Sequence, residues 1–392
     1  MSAATGSPRR AASGTDESPR AVRTVGVEEE FLLVDPVDGR PRALAAAVLR
    51  ADQAAGGDRG SSANGQVEGE MQLQQIETAT EPCRSLDDLH RQIRAVRLRA
   101  GDSAGELGAE IAALGTSSVP VDTRLAPDTR YRRIAERFGL TIQEQLTCGC
   151  HVHVAVDSDD EAVAVLDRIR PWLAPLLALS GNSPFWDGQD TGYASYRSGV
   201  WSRWPSAGPT ELFGSADEYH RTVRAMVGSG TVLDTGMVYF DARLSDDYPT
   251  VEIRVADVCL RAEDAVLLAA LVRGLVETAA REWRDGRPPL PVRVELLRLA
   301  MWRAGRTGLG GDLLDPRTQR PAPARNVLGL LLEHLRDALV DAGDAERVAD
   351  LYDSVLREGT GADLQRAVYA LTGRPRDVVV EAVRRTAGGS GR

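Results

Sequence analysis

Val25–Val34 reads VGVEEEFLLV, and the placement of its acids decides the fold class. A strand puts residues i and i+2 on the same side. One alternation then carries Val25, Val27, Phe31 and Leu33, and the other carries Glu28 and Glu30. Glu29 falls on the apolar side, where a carboxylate demands a buried partner or a local bulge. Three later stretches share the pattern. In 148–156, CGCHVHVAV, Cys148, Cys150, Val152, Val154 and Val156 oppose His151 and His153. In 237–244, MVYFDARL, Val238, Phe240 and Ala242 oppose Tyr239, Asp241 and Arg243. In 250–256, TVEIRVA, Val251, Ile253 and Val255 oppose Thr250, Glu252 and Arg254. Each has an apolar face for helices and a face of acids, histidines or arginines, as in an antiparallel sheet covered on one side. A solvated face would be rich in Thr, Ser and mixed charge. Two of the five histidines on one strand point instead to a shared polar cavity.

Around these strands, helical periodicity predicts helices over 86–99, 160–169, 262–283 and 327–340. Ser85, followed by Asp87 and Asp88, is the N-cap of the first. Pro171 and Pro175 divide the second from an apolar segment that runs to Leu179. Residues 181–216 read as one long ordered loop, aromatic at Phe185, Trp186, Trp201 and Trp204, of a length that usually serves a site. Residues 53–65 read as a second loop. In 70–80, EMQLQQIETAT, Glu70 and Glu77 would share a helix face but take opposite faces of a regular strand, and the choice stays open. Residues 1–21 are small, polar and Pro/Ser-rich, which predicts a disordered tail. Residues 22–385 then form a single domain, and 386–392 a flexible end.

The chain has 392 residues, and 47 basic against 57 acidic side chains give a net charge of −10. Such a balance argues against general binding to nucleic acid or to an anionic membrane surface. All 47 basic residues are arginine. Without lysine there is no P-loop lysine, no protein-kinase strand lysine and no Schiff base. Any nucleotide must be handled by arginines and metal ions. The cysteines, Cys83, Cys148, Cys150 and Cys259, are too few for a disulfide scaffold and lack a second pair for a metal site, so buried free thiols are expected. No apolar run reaches the roughly 18–20 residues of a membrane span, and the first residues lack an apolar signal region. A cytoplasmic protein is expected.

Glu28, Glu30, Glu70, Glu77, His153 and Glu252 supply mostly hard oxygen ligands with one imidazole. That composition suits Mg²⁺ or Mn²⁺ better than Zn²⁺. So many carboxylates facing one another repel unless cations bridge them. Arg197, Arg243 and Arg254 offer bidentate forks for phosphate or carboxylate. Acids, a divalent cation and arginines together outline a phosphoryl-transfer site.

At these residues the sequence resembles the bacterial carboxylate–amine ligases, also called glutamate–cysteine ligase type 2. The resemblance lies in GVEEEF, CGCHVHV, ALSGNSPFWDGQDTGYASYRS with WSRWP, and PTVEIRVADV, in that order, and runs from about Val22 to Ala370. It implies an α+β, glutamine-synthetase-like fold, whose curved antiparallel sheet forms a funnel with helices packed on the outer face. It implies ATP and Mg²⁺, with Mn²⁺ as a substitute. Metal ligands carry over to Glu28, Glu30, Glu70, Glu77, His153 and Glu252, a phosphate- or substrate-binding arginine to Arg254, and weaker carry-overs to Arg197 and Arg243. Arg197 and Arg254 would hold the nucleotide, and His151 is expected to be chiefly structural. Ala155 stands where the family pattern has glycine, and Leu364 in GTGADLQR where it has arginine.

The implied reaction joins the side-chain carboxylate of glutamate to the amino group of cysteine, or of another amine, through an acyl phosphate, releasing ADP and phosphate. The partners are then small molecules, with no nucleic acid and no membrane, and a homodimer is left open. Two rivals share the residues. A metal-dependent hydrolase would use the same acids with His151 and His153 and would not need ATP. A non-catalytic binding protein would not need the acids, His153 and the arginines together.

Overall fold

The computed structural model describes residues 21–56 and 65–388. The expected N-terminal tail lies outside the described residues apart from Ala21, as does most of the expected loop 53–65. The main sheet is built from β1 (Val25–Val34), β2 (Gln66–Gly69), β3 (Gln75–Ala79), β4 (Glu110–Ala112), β5 (Gly149–Ala155), β8 (Ala242–Leu244) and β9 (Thr250–Asp257). A separate hairpin pairs β6 (Phe185–Trp186) with β7 (Gln189–Asp190). The sheet order is β2-β3-β1-β5-β9-β8, and every pairing is antiparallel. β1 is the hub. One edge runs along β3, while the other pairs first with β5 and then, past Glu29, with β4.

The period-2 reading of β1 holds over its first half, Val25 to Glu28, whereas both faces are buried from Phe31 to Val34. Val25 and Val27 join Cys150, Val152, Val154, Val251 and Ile253 in one apolar layer, covered by the helices Leu86–Gly105 and Ala262–Arg284. Phe31 and Leu33 continue into a second cluster with Ile111 and the helix Pro375–Thr386. Ser85 caps the helix Leu86–Gly105 by accepting from the amides of Asp87 and Asp88. The expected helices appear as Leu86–Gly105, Asp159–Ile169, Ala262–Arg284 and Ala324–Asp341, each longer than its apolar pattern. All four cysteines are free and buried.

Several expectations are corrected. Residues 181–216 are not one loop: they hold the β6–β7 hairpin and a helix, Tyr196–Trp201. The hairpin turns at Asp187 and Gly188, both at positive φ (50° and 79°), the Asp-Gly pair that a type I′ turn favours. The expected strand 237–244 makes ladder bonds only at Ala242–Leu244, because Thr235–Met237 is a 3₁₀ turn and Phe240 bridges to Gly208. The expected flexible end does not begin at Thr386. Its helix continues through that residue, which is 3% exposed and accepts from the Ala113 amide at 2.9 Å.

Glu29 finds the partner it needs. Arg97 donates to both of its carboxylate oxygens, at 2.6 and 2.9 Å, and also to the carbonyls of Cys259 and Leu260. Both side chains are 2% exposed. Removing one member of such a pair leaves an uncompensated buried charge. Arg97→Ala is therefore expected to cost about 3–5 kcal/mol of unfolding free energy, read from urea denaturation. Replacing both residues by methionine should recover part of that loss, and equal losses in the single and double variants would contradict the pairing.

Candidate active site

Cross-strand register assembles the polar face. Glu30 lies opposite Glu77, Glu28 opposite His151, and His153 opposite Glu252, which in turn faces Arg243. Glu70 is not on a strand with Glu77. It sits just before the bend that leads into β3, and this bend lets both acids, seven residues apart, enter the same cavity. All six predicted metal ligands, together with Arg243 and Arg254, line this cavity of about 340 Å³.

Their contacts form a chain. Glu28 reaches His151 Nδ1 and His153 Nε2, each at 3.3 Å. Glu252, 2% exposed, accepts from Arg243 Nε at 2.6 Å and pairs with Arg254. Glu30 accepts from the Gly149 amide at 2.5 Å. His153 Nδ1 is 3.0 Å from the Thr250 hydroxyl. Among the described residues three sets bring their donor atoms within 4.8 Å of one another: Glu28, Glu77 and His151; Glu28, His153 and Glu252; Glu30, Glu70 and Glu77. Glu28 and Glu77 link the sets into one row. His151 thus lies among potential ligands rather than behind them. His151 Nε2 is buried and makes no hydrogen bond, so a donor electron pair remains available there, whereas His153 Nε2 faces the Glu28 carboxylate. The donor set fits hard divalent cations.

Electrostatics follow from crowding. Burial, then Glu70, pushes the Glu30 carboxyl up to about 7, against Arg197 and Arg254. Burial, with Glu70 and Glu28 close by, raises Glu77 well above the usual carboxylate range. Burial would raise Glu252 too, but Arg254 and Arg243 hold it at about 2. Burial likewise opposes the ionised form of Glu28, and His151 and His153 overcome it to lower that carboxyl. His151 is held down at about 4 by burial and by Arg254.

A β-bulge aims Arg254. Between the pairs Cys150–Ala256 and Val152–Ile253, β9 carries one residue more than β5. Arg254 emerges there and lines both the acidic cavity and a second one beside it. Trp201 shares that wall, its ring 5.9 Å from the Arg254 guanidinium and 5.7 Å from that of Arg197. Arg197 does not line the acidic cavity. It is 2% exposed, donates to the carbonyls of Val255 and Arg254, and borders the second cavity.

Sequence reading missed what holds Arg197 there. Asp257, fully buried, accepts from the Asn182 amide at 2.8 Å and the hydroxyls of Ser183 and Ser195 at 2.7 and 2.8 Å, tying 181–197 to the sheet. Gln365 and Arg366, from GTGADLQR, bind the same segment at Asn182 and Asp190. Leu364 packs at the edge of the second apolar cluster. At Gly149 a Cβ would lie 2.2 Å from Arg197 Nη2, so a side chain there would displace that guanidinium. The signal was a lone glycine on the polar side of CGCHVHV.

Two solved structures share this fold. A bifunctional glutathione synthetase from Pasteurella multocida superposes with a TM-score of 0.67 at 16% identity, over 93% of this chain and 52% of that one. A glutamate–cysteine ligase from Francisella tularensis, in complex with AMP, gives 0.65 at 13% identity, over 95% of this chain and 90% of that one. The architecture is that of the glutamine-synthetase-like ligases. "Putative glutamate--cysteine ligase 2" of Streptomyces coelicolor is 56% identical over 365 residues, 93% of this chain and 99% of that protein. A relative in Paenarthrobacter aurescens is 50% identical over 366 residues, 93% of this chain and 95% of that protein. Residues 24–385 match the profile of glutamate–cysteine ligase family 2, and the chain belongs to that family, among the carboxylate–amine ligases.

The raised Glu30 carboxyl has a pH consequence. Its folded value, about 7, exceeds the ordinary 4.5, so the folded state binds the extra proton between those values. Stability contributed by that proton is present below pH 4.5 and lost as pH rises to about 7. In chelator, Glu30→Gln should melt near the wild type at about pH 5 and above it at pH 8, by roughly a few degrees. A constant difference across that range in thermal melts would refute the assignment.

Proposed function

We propose that this chain joins the side-chain carboxylate of L-glutamate to the amino group of L-cysteine, using ATP and passing through an acyl phosphate. The observation that carries the reading is the row of three donor sets linked through Glu28 and Glu77. Crowded carboxylates pushed toward neutrality are an unfavourable surface unless cations accompany the ligand. Glu28, Glu30, Glu70, Glu77, His153 and Glu252 are the residues that would hold divalent cations, with His151 beside them. Bound Mg²⁺ supplies charge neutralisation to the phosphates and the substrate carboxylate.

The chain's own groups do the rest. Arg254 and Arg243, oriented by Glu252, present guanidinium charge where a phosphoryl group would carry its developing negative charge. Arg197 braces the same wall through Trp201 and the carbonyl of Arg254. A glutamate carboxylate oxygen attacks the γ-phosphorus and ADP leaves. The amine then attacks the acyl carbon, phosphate departs with the oxygen it gained, and the amine gives up its proton. Activation is needed because a free carboxylate is a poor acyl donor. The segment 181–204, wrapped over the sheet by Asp257, limits water that would hydrolyse the intermediate. Relatives that carry the name glutamate–cysteine ligase support the choice of substrates.

Glu30→Gln keeps shape while removing a charge from the cation row. A fall in turnover of at least about 100-fold is expected, the size of losing one strong electrostatic stabiliser, with the far-UV spectrum unchanged. Normal turnover at low Mg²⁺ would remove Glu30 from the metal set.

The chemistry has its own test. Glutamate labelled with ¹⁸O in the side-chain carboxylate should deliver one labelled oxygen to the released phosphate, in step with amide formation, by mass spectrometry. Label in AMP would mean an adenylate instead. Turnover without ATP would mean a hydrolase.

A further inference from the structure

The helix Val294–Thr307 packs through Leu297, Ala300, Ala304 and Gly305 and turns its opposite side to solvent. At about 3.6 residues per turn, Leu299 is the apex of that outer side. Leu296 and Trp302 flank it, one about a turn before and the other about a turn after. Leu296, Leu299 and Trp302 are 38%, 57% and 57% exposed. A single exposed leucine is ordinary, but three large apolar side chains in one stripe mark a contact surface. Trp302 is held in place, its ring edge-on to Tyr193 with centroids 6.4 Å apart. Charge frames the stripe unevenly. Glu295 lies four residues before Leu299 and Arg303 four residues after it. Glu295 pairs with Arg293 in a contact exposed on both sides, which contributes little in water. Among the described residues no acid forms an ion pair with Arg303.

This face is its own complement. When two such helices run antiparallel about a two-fold axis at Leu299, that leucine meets its own copy. Leu296 then meets the partner's Trp302, and Glu295 meets the partner's Arg303, each pair occurring twice by symmetry. Other occupants fit the charges less well. An anionic membrane surface is opposed by Glu295 and by the net charge of −10, and an acidic peptide that suited Arg303 would be repelled by Glu295. We propose that the outer face of this helix is an interface between two copies of the chain, packed antiparallel about an axis through Leu299. The proposal stands independently of the ligase reading. It also has a consequence for the site. Trp302, with Arg298 and Met301 of the same helix, lines the second cavity, of about 440 Å³. The partner's Leu296, seated on Trp302, would stand at the rim of that cavity, so each copy would supply part of the other's entrance.

Sedimentation velocity of the full chain, over about 1 to 100 μM, tests the interface. The wild type should sediment as a dimer at the upper end of that range. Leu299→Glu sets two carboxylates against each other on the axis and should leave a monomer throughout, with the far-UV spectrum unchanged because the side chain is exposed. Glu295→Arg and Arg303→Glu each place like charges opposite one another and should weaken association by about tenfold or more. The double variant exchanges the two charges, brings opposite signs together again and should recover most of the wild-type association. A wild type that is monomeric at about 100 μM overturns the proposal. A dimer that survives Leu299→Glu overturns it too, because the contact then lies elsewhere. A double variant that associates no better than the single ones contradicts the antiparallel register.

Discussion

The site depends on one buried ion pair that fixes the register of β1. Glu29 points into the apolar layer, and Arg97 meets it there with two hydrogen bonds while also holding the carbonyls of Cys259 and Leu260 just past β9. A strand slipped by one residue would send Glu28 and Glu30 into the core and Glu29 into the cavity. The pair opposes that exchange, because Arg97 could meet only one of the two acids that the slip turns inward and the other would be buried without a partner. It also couples the central strand to the helix Leu86–Gly105 and to the end of β9, so the acids of β1 and the arginine of β9 are positioned from one fixed point.

With register set, the polar face becomes a problem of uncompensated charge. Arginine answers it on one side, where Glu252 sits between Arg243 and Arg254. Among the described residues no arginine forms an ion pair with Glu30 or Glu77, and their carboxyls are pushed upward. The face is therefore divided into a stretch that is electrostatically finished and a stretch that is not. The unfinished stretch is where a site for cations belongs. The stability lost there is the kind that active sites commonly carry.

Alternation made most of this legible. β1 spans the residues expected, the expected 148–156 and 250–256 differ from β5 and β9 by a residue at one or both ends, and the five acids and one histidine predicted as ligands share one cavity. Where legibility failed, the cause was local. Asp187-Gly188 carried a hairpin signal inside a stretch whose aromatic content drew attention elsewhere. Residues 237–241 keep the alternation of a strand without its ladder, because tertiary packing supplies the burial. The bulge at Arg254 depends on two strands at once, so no single segment announces it. Glu70 and Glu77 fitted neither a helix nor one strand because a bend separates them.

The hold of Gln365 and Arg366 on the segment 182–190 also says when the site is completed during synthesis. β1 emerges first, yet its neighbour β5 and the next strand β9 come more than a hundred and more than two hundred residues later. The helix that ends at Thr386 follows Asp257 by some 130 residues, roughly 6 to 26 s of translation at about 5–20 residues per second. The edges of the acid-bearing strand can pair with β3 and β5 well before then, but the residues that hold 182–190 in place are still missing. A chain built this way gathers its chemistry only after residues far beyond the acids have been made, and a fragment that stops short of them carries the acids without the frame that makes them a site.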